Sequence, residues 1–341
     1  MRTPRPGPDR ERDLADVADA AARAAGRAVG APLRWARGAG FPWTAAPTPT
    51  GVEPVVEPDR LGDRYDTEWA RRPVARWTRL AALETAGRAV TGTLCRPEVR
   101  NLDRLEDLDG RAVFVANHHS HLDTTLLLTA LPRPWRHEMV VAAAADYFFD
   151  SRPKAALAAW AYGAVPMERQ RVSRRSADTS ARLLDDGWSL LVFPEGGRSP
   201  DGWGQPHKGG AAYLAVRCGV PVVPVHLDGT GRVLPKGATV PRPGTVVVNI
   251  GTPLRPAEGE DARRFAVRVD AAVAELADET VSDWWSARRR AHDGTTPSLR
   301  GPADLAEGTA SWRRDWASPD RRPRLRDRSR SDRPWGLGRT R

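Results

Sequence analysis

Short apolar runs alternate with longer amphipathic stretches between residues 95 and 280. Continuous apolar runs of this kind are typical of buried strands, whereas apolar residues three or four positions apart are typical of helices. The predicted strands are 95–100, 112–116, 138–144, 189–193, 221–227 and 245–250. The predicted helices are 120–130, 153–161, 173–186, 208–218 and 260–279. Strands interleaved with helices indicate one α/β domain with a mixed, largely parallel sheet flanked by helices.

The two ends of the chain lack this alternation. Residues 67–92 are predicted to form a helix with Trp77, Leu80 and Leu83 on or near one face, which would pack on the core or lie on a membrane surface. Residues 42–58 contain five prolines and read as a linker. We therefore expect three parts: a poorly ordered N-terminal extension with a proline-rich linker over 1–64, the domain over 65–280, and an irregular Trp- and Arg-rich arm with a basic, disordered tail over 281–341.

The net charge of +10 on the 341 residues belongs to the two ends of the chain. Residues 320–341 carry nine arginines and three aspartates, and residues 1–40 carry eight arginines and five acidic residues. Basic ends of this kind favour attraction to anionic lipid headgroups or to nucleic acid. No nucleic-acid-binding motif accompanies them, and an inert, solvated arginine-rich tail is the alternative to either partner. The expected partner is an anionic membrane surface, and no nucleic acid.

The composition also constrains the cellular setting. No stretch of 18 or more apolar residues occurs, and the N-terminus has no apolar core after its first charges, so neither a spanning helix nor a secretory signal is expected. Cys95 and Cys218 form neither a disulfide framework nor a zinc-binding spacing. We therefore expect a cytoplasmic protein that associates peripherally with the inner face of the cell membrane.

The polar stretch 117–123 lies between an apolar run and a helical pattern, and so reads as a strand-to-helix turn. Ser120 followed by Asp123 fits a capping box, which places the helix start near Ser120. A turn and one helical turn allow Asp123 to fold back onto His118, where a carboxylate would fix the imidazole tautomer and leave the other nitrogen as a general base. The spacing equally allows Asp123 to act only as a helix cap.

The same stretch permits a metal-binding hypothesis. His119, His121 and Asp123 resemble the start of the His-x-His-x-Asp-His motif of metallo-β-lactamase-type hydrolases, although Thr124 occupies the last position. Histidine is the commonest metal ligand. The other histidines are scattered along the sequence, so this metal-dependent hydrolase is the secondary hypothesis.

The third motif along the chain, 189–199, runs from an apolar strand into a glycine-containing turn that ends in arginine. Glycine lets backbone N–H groups approach an anion closely, and arginine binds phosphate in a forked geometry. Glu195 in this turn could orient Arg198 or hold a substrate hydroxyl. Two weaker motifs are Gly163 to Arg169, an apolar segment ending in arginine, and 220–225, a strand whose two prolines predict an edge or a bulge.

Taken together and in this order, the four motifs resemble the glycerolipid acyltransferase family, which includes the 1-acylglycerol-3-phosphate acyltransferases. The resemblance covers about 95–255. Its blocks are matched by Asn117, His118, Ser120 and Asp123; by Gly163 and Arg169; by Phe193 to Ser199, with Gly197 in place of the usual threonine; and by Val220 to Val225. Lys208 and Gly209 look like the lysine-glycine element that follows the third block.

The resemblance implies an activity and a role for each matched residue. His118 would be the general base, oriented by Asp123, for direct attack of an acceptor hydroxyl on the thioester of acyl-CoA or acyl-carrier protein. Glu195, Gly196 and Arg198 would hold the phosphate and glycerol of a lysophospholipid acceptor, with Arg169 and Lys208 assisting. The expected acceptor is 1-acyl-sn-glycerol-3-phosphate, without a metal or cofactor. A non-catalytic lipid-binding protein on the same fold is the other alternative.

Overall fold

The computed structural model describes residues 62–168 and 174–300. Residues 1–61, 169–173 and 301–341 lie outside the described residues, and with them Arg169 and most of the two predicted extensions. Within the described ranges, no helix is both long enough and apolar enough to cross a membrane.

A sheet of seven strands forms the centre of the described part of the chain, in the order β1-β7-β6-β2-β5-β3-β4. Strands β2 to β6 run parallel to one another, and β7, antiparallel to β6, runs parallel to β1. The predicted mixed, largely parallel sheet is therefore confirmed. The strands are β1 (Pro97–Arg100), β2 (Val113–Ala116), β3 (Met139–Ala144), β4 (Ala164–Met167), β5 (Ser189–Val192), β6 (Val222–Asp228) and β7 (Val246–Ile250).

Helices cover both faces of the sheet. The first two, α1 (Pro73–Ala82) and α2 (Arg88–Leu94), are joined by a π-helical turn over Leu83–Gly87, so the predicted helix 67–92 is broadly confirmed. The others are α3 (Leu122–Ala130), α4 (Arg133–His137), α5 (Ala145–Phe148), α6 (Arg152–Tyr162), α7 (Arg174–Asp185), α8 (Gly210–Cys218), α9 (Thr230–Val233), α10 (Ala262–Val281) and α11 (Trp284–His292).

Strand β2 shows how the sequence builds the two faces. Its side chains alternate, so Phe114 packs with the leucines of α3 in one core, while Val113 and Val115 join a second core with residues of α7, α8 and α10. Both cores are buried, which is why β2 reads as a continuous apolar run rather than an alternating one. The middle of the sheet is thereby held rigidly from both sides.

Strand β4 was absent from the predicted strands. Its four residues follow Gly163, which ends α6 in the left-handed region at φ 61°. A Cβ on Gly163 would lie 3.2 Å from the carbonyl oxygen of Met139. The first residue of the Gly163 to Arg169 motif therefore serves a tight helix-to-strand connection, a role that needs no ligand.

The predicted edge position of 220–225 is wrong, because β6 lies between β2 and β7. The predicted bulge is present, since Val225 pairs with Ile250 whereas Val222 pairs with Leu254, so the partner segment carries one extra residue. The ladder with β7 begins at the Val225–Ile250 pair, so the missing N–H of Pro224 falls just beyond it. Gly251 leaves room for the proline ring, since a Cβ on that residue would lie 2.6 Å from Cγ of Pro224.

The predicted irregular arm after residue 280 also differs from the structure. Asp283 caps α11 by accepting the N–H of Ser286 at 2.9 Å. The helix packs on α10 through the buried Ala287, and Arg290 makes two hydrogen bonds to Asp278. Residues 284–292 thus belong to the ordered domain.

Candidate active site

The motifs meet at one edge of the sheet. Asn117 and His118 follow β2, Phe193 to Ser199 follow β5, and Thr230 follows β6. Because β2 lies between β5 and β6 and runs parallel to both, the carboxyl ends of the three strands point to the same edge. Ligand sites of open α/β sheets occur at such an edge, where the chain connections diverge.

His118 and Asp123 form the pair that their spacing allows. The Nδ1 atom of His118 lies 2.9 Å from Oδ2 of Asp123, and the side chains are 17% and 0% exposed. The same oxygen accepts the N–H groups of His119 at 2.7 Å and Ser120 at 2.8 Å. Helix α3 begins at Leu122, two residues after the predicted start, so Asp123 in its first turn reaches back over the loop.

The surroundings of Asp123 keep its carboxyl group ionised. Burial alone raises the pKa of Asp123, but the hydrogen bond and charge of His118, the N–H of Ser120 and the hydroxyl of Thr230 together bring the pKa below its usual value. An ionised carboxylate on Nδ1 places the ring proton there and leaves Nε2 of His118 as the basic nitrogen.

Residues of the third motif bond both the backbone N–H and the backbone carbonyl of His118. Oε1 of Glu195 accepts the N–H of His118 at 2.9 Å, and the carbonyl of His118 accepts the N–H of Ser199 at 2.8 Å. The ring of Phe193 stacks on the imidazole, with 4.2 Å between the centroids. The base is therefore fixed in position by the turn that was expected to bind the acceptor.

Glu195 is buried, and both of its carboxylate oxygens are engaged. Oε2 accepts the N–H of Gln205 at 2.9 Å, so one side chain ties together the His118 turn and the loop that follows the third motif. Burial, assisted by the charges of Asp123 and Asp201, raises the pKa of Glu195 to about 8 against the opposing effect of its two backbone hydrogen bonds.

Asn117, a motif residue without a predicted role, fixes the turn to strand β6. Its amide donates to the carbonyl of Leu227 at 2.9 Å and accepts the N–H of Leu227 at 2.7 Å. Ser120 adds a second tie through its hydroxyl, which donates to the carbonyl of Leu234 at 2.9 Å. The sequence could have indicated both residues only through their place in the first block of the family resemblance.

Positively charged side chains lie against the third motif and near His121. Gly196 has φ 70°, and a Cβ there would lie 2.8 Å from Nζ of Lys208, so the glycine makes room for the ammonium group. Lys236 donates to the carbonyl of Arg198 at 3.5 Å. Burial lowers the pKa of His121, and the charge of Arg198 lowers it further. A base beside such cations is suited to an anionic substrate.

The structure thus brings together His118, Asp123, Glu195, Gly196 and Lys208, with Arg198 close by. Their roles toward substrate stay predictions, and Arg169 lies outside the described residues. Within residues 62–168 and 174–300, no group of three or more His, Cys, Asp or Glu side chains is arranged to hold a metal ion. The set His119, His121 and Asp123 is therefore not gathered into a metal site.

Residues 96–228 match the family model described as Acyltransferase. The match includes the motifs that carry His118, Asp123, Glu195 and Lys208. The class of protein that the fold and the site define is accordingly an acyltransferase-type α/β domain.

The relatives carry more specific names. The chain is 34% identical over 152 residues to "1-acyl-sn-glycerol-3-phosphate acyltransferase BAT2, chloroplastic" of Brassica napus, which covers 42% of this chain and 40% of that protein. It is 34% identical over 149 residues to the chloroplastic LPAT1 of Arabidopsis thaliana (41% and 38%), and 35% identical over 133 residues to the human beta enzyme of the same activity name (38% and 45%). The chain thus spans less than half the length of each.

Among solved structures, the chain is similar to the 1-acyl-sn-glycerophosphate acyltransferase PlsC from Thermotoga maritima. The sequence identity is 27% and the TM-score 0.46, with 62% of this chain and 83% of that chain covered.

Proposed function

We propose that this protein is an O-acyltransferase that moves a fatty acyl group from acyl-CoA or acyl-carrier protein to the hydroxyl of a lysophospholipid. The acceptor is 1-acyl-sn-glycerol-3-phosphate, and the product is phosphatidic acid. The observation that carries the proposal is the contact between Nδ1 of His118 and the buried Asp123, because it leaves Nε2 of a fixed imidazole as a base.

The proposed reaction is a direct transfer. Nε2 of His118 takes the proton from the acceptor hydroxyl while the hydroxyl oxygen attacks the carbonyl carbon of the thioester. Asp123 stabilises the imidazolium that forms. The tetrahedral intermediate collapses, the carbon–sulfur bond breaks, and the thiolate takes up the proton from the imidazolium. The products are an ester and a free thiol, and the base is regenerated.

The cations at the third motif supply the acceptor site in this proposal. Arg198 and Lys208 bind the phosphate of the acceptor, and Arg169 assists. Arginine pairs with phosphate in a bidentate manner, whereas lysine acts as a compact charge that can move with the substrate. Glu195 supports the site from inside, because its carboxylate accepts the N–H of His118 and that of Gln205.

The proposal also places the protein at an anionic membrane surface, on the cytoplasmic side of the cell membrane, because its acceptor is a membrane lipid. Helices α1 and α6 lie side by side, since Nε1 of Trp160 donates to Thr78 at 3.1 Å. We call the exposed Val74, Trp77 and Leu157 on these helices the α1/α6 surface. The exposed Arg72 of the same segment would face anionic headgroups.

The experiment that tests the reaction measures release of free thiol from long-chain acyl-CoA by the purified full-length protein. The acceptor 1-acyl-sn-glycerol-3-phosphate is present or absent, and a parallel series uses acyl-carrier protein as donor. We expect release that requires the acceptor and that is lost in His118→Ala. Acceptor-independent release would indicate a thioesterase, and no release with either donor would refute the proposed acceptor.

A further inference from the structure

A second histidine–aspartate contact lies outside the catalytic pair. Nδ1 of His207 lies 2.9 Å from Oδ1 of Asp270 on helix α10, and the His207 side chain is only 7% exposed. Arg300 approaches the other oxygen of Asp270 at 3.4 Å. The contact with His207 lowers the pKa of Asp270, against burial, and the charges of His207 and Arg300 add to the effect. Neither the motifs nor the proposed reaction gives these three residues a role.

His207 sits between two backbone anchors of the loop that follows the third motif. On one side, the N–H of Gln205 donates to Glu195; on the other, the N–H of Lys208 donates to the carbonyl of Pro194 at 2.9 Å. Glu195 and Pro194 both belong to the turn that holds His118. The side chain of His207 therefore fixes the middle of a short bridge whose two ends support the site.

Lys208 directly follows His207, so the backbone at His207 sets where the lysine side chain starts. The end of that side chain is placed closely, because a Cβ on Gly196 would meet Nζ at 2.8 Å and Cε at 3.1 Å. Lysine has four rotatable side-chain bonds, and holding its first atom reduces the positions that the ammonium group can take.

The segment after α11 completes this support. The carbonyl of Leu299 accepts the N–H of Gly204 at 2.8 Å, one residue before Gln205. A Cβ on Gly204 would lie 3.2 Å from Cβ of Leu299, so the two backbones approach closely at this point. Asp270 thus contacts His207 of the loop and Arg300, the last of the described residues.

We propose that His207, held by Asp270, is a positioning residue that sets the ammonium group of Lys208 against the Gly196 turn and thereby tunes binding of the acceptor phosphate. The inference rests on the proposed function, since it assigns a phosphate to Lys208. It makes the segment around Leu299 and Arg300 part of the support of the acceptor site.

The test compares His207→Leu, which removes the contact to Asp270, with His207→Asn, whose side-chain amide can donate in place of Nδ1. We expect His207→Leu to raise the acceptor KM about 10-fold, because small displacements of a positioning group have large effects, while kcat and the acyl-CoA KM stay near wild type. His207→Asn should recover most of the affinity. Glu275→Gln, which breaks the exposed Arg288–Glu275 pair on α10 and α11, is the matched control.

A double-substitution cycle decides whether His207 acts through Lys208. If it does, adding His207→Leu to Lys208→Ala should change the acceptor KM no further. Additive effects, an unchanged KM in His207→Leu, or an equal loss in His207→Leu and His207→Asn would each overturn the proposal.

A readout that needs no turnover separates failure of this inference from failure of the proposed function. The rate at which an amine-acetylating reagent modifies Lys208, measured by mass spectrometry with Lys236 as internal reference, should change in His207→Leu and return in His207→Asn. If the wild type shows no acyl transfer but this change is present, the proposed function fails and the positioning role stands. An unchanged labelling rate overturns the positioning role, whatever the activity.

Discussion

Oδ2 of Asp123 accepts the N–H groups of His119 and Ser120 while lying 2.9 Å from Nδ1 of His118. Three donors on one oxygen fix the carboxylate by the backbone of the turn that presents the histidine. The contact between the two side chains therefore forms within six residues of the chain, and the third motif then holds His118 in place. This explains why a spacing of five residues across a turn is sufficient to predict it.

His118→Ala should lower kcat at least about 10²-fold, because it removes the general base. Asp123→Asn should lower kcat to a similar extent, since it keeps an oxygen for the two amides but loses the charge that stabilises the imidazolium. Steady-state kinetics of thiol release measure both. His292→Ala, at an exposed histidine of α11, is the control and should leave kcat unchanged. Near-normal turnover in His118→Ala would remove the general-base assignment.

Gly196→Ala should weaken acceptor binding and destabilise the fold. The left-handed φ of 70° costs an alanine roughly 1–2 kcal/mol, and the new methyl group would displace the Lys208 ammonium. Gly219→Ala is the matched control, because Gly219 has φ 63° and a methyl group added there would meet no atom within 4 Å. Both variants should lose similar stability in denaturant titrations, whereas only Gly196→Ala should raise the acceptor KM. Equal KM values would separate Lys208 from the acceptor.

Glu195→Gln should change how stability depends on pH. The pKa of Glu195 is raised from 4.5 to about 8 in the folded protein, so the folded state holds the proton over a range where the unfolded chain has lost it. The stability contributed by the protonated form is complete below pH 4.5 and is lost as pH rises toward 8. Glutamine cannot titrate, and its NH₂ group would face one of the two backbone donors.

We therefore expect the free energy of unfolding of the wild type to exceed that of Glu195→Gln by the largest amount near pH 4.5. The difference should become smaller toward pH 8. Urea titrations of both proteins across this range measure it. A difference that is constant, or that grows with pH, would mean that Glu195 is already ionised in the folded protein at the acidic end.

Arg198→Ala should chiefly raise the acceptor KM and leave kcat near wild type, if its phosphate contact is equally strong in the ground state and the transition state. A charged hydrogen bond is worth about 1.5–3 kcal/mol, which corresponds to roughly a 10-fold or larger rise in KM. Arg217→Ala provides the control, since Arg217 pairs with Asp178 between helices α8 and α7. Acceptor kinetics that match wild type would remove Arg198 from the phosphate site.

The sequence predicted the parts of this protein that are encoded locally. The apolar runs located six of the seven strands, and the His118–Asp123 spacing located the catalytic pair, because both depend on near neighbours in the chain. Strand β4 was missed because four residues after a helix-capping glycine give too short a pattern. The central position of β6 was not predicted, because prolines in a strand usually indicate an edge. Pro224 is tolerated here since β7 stops pairing with β6 at Val225, and only the assembled sheet shows where that pairing ends.

The supporting contacts of the site are long-range and leave no periodic signal. Glu195 looked like a substrate ligand, yet it accepts the N–H of His118, 77 residues earlier in the chain. Asp270 is an ordinary polar position of an amphipathic helix until His207 is found 2.9 Å away. Contacts of this kind can be found only after the fold has brought the segments together.

Membrane association should depend on the α1/α6 surface. Trp77 and Leu157 are 68% and 62% exposed, and burying such side chains in the interfacial region of a bilayer contributes about 1.5–3 kcal/mol each at full burial. Trp77→Ser with Leu157→Ser should therefore lower binding to anionic vesicles about 10-fold or more in sedimentation assays. Val267→Ser, at an exposed valine of α10, should not.

The surface that competes with this assignment is formed by Trp284 and Trp285 on α11, whose rings lie 5.8 Å apart. If serine at those two positions abolishes vesicle binding while Trp77→Ser with Leu157→Ser does not, the membrane lies on the α11 side. Deleting 320–341 and varying salt separates the basic tail from both surfaces, because headgroup attraction weakens with ionic strength whereas apolar insertion does not.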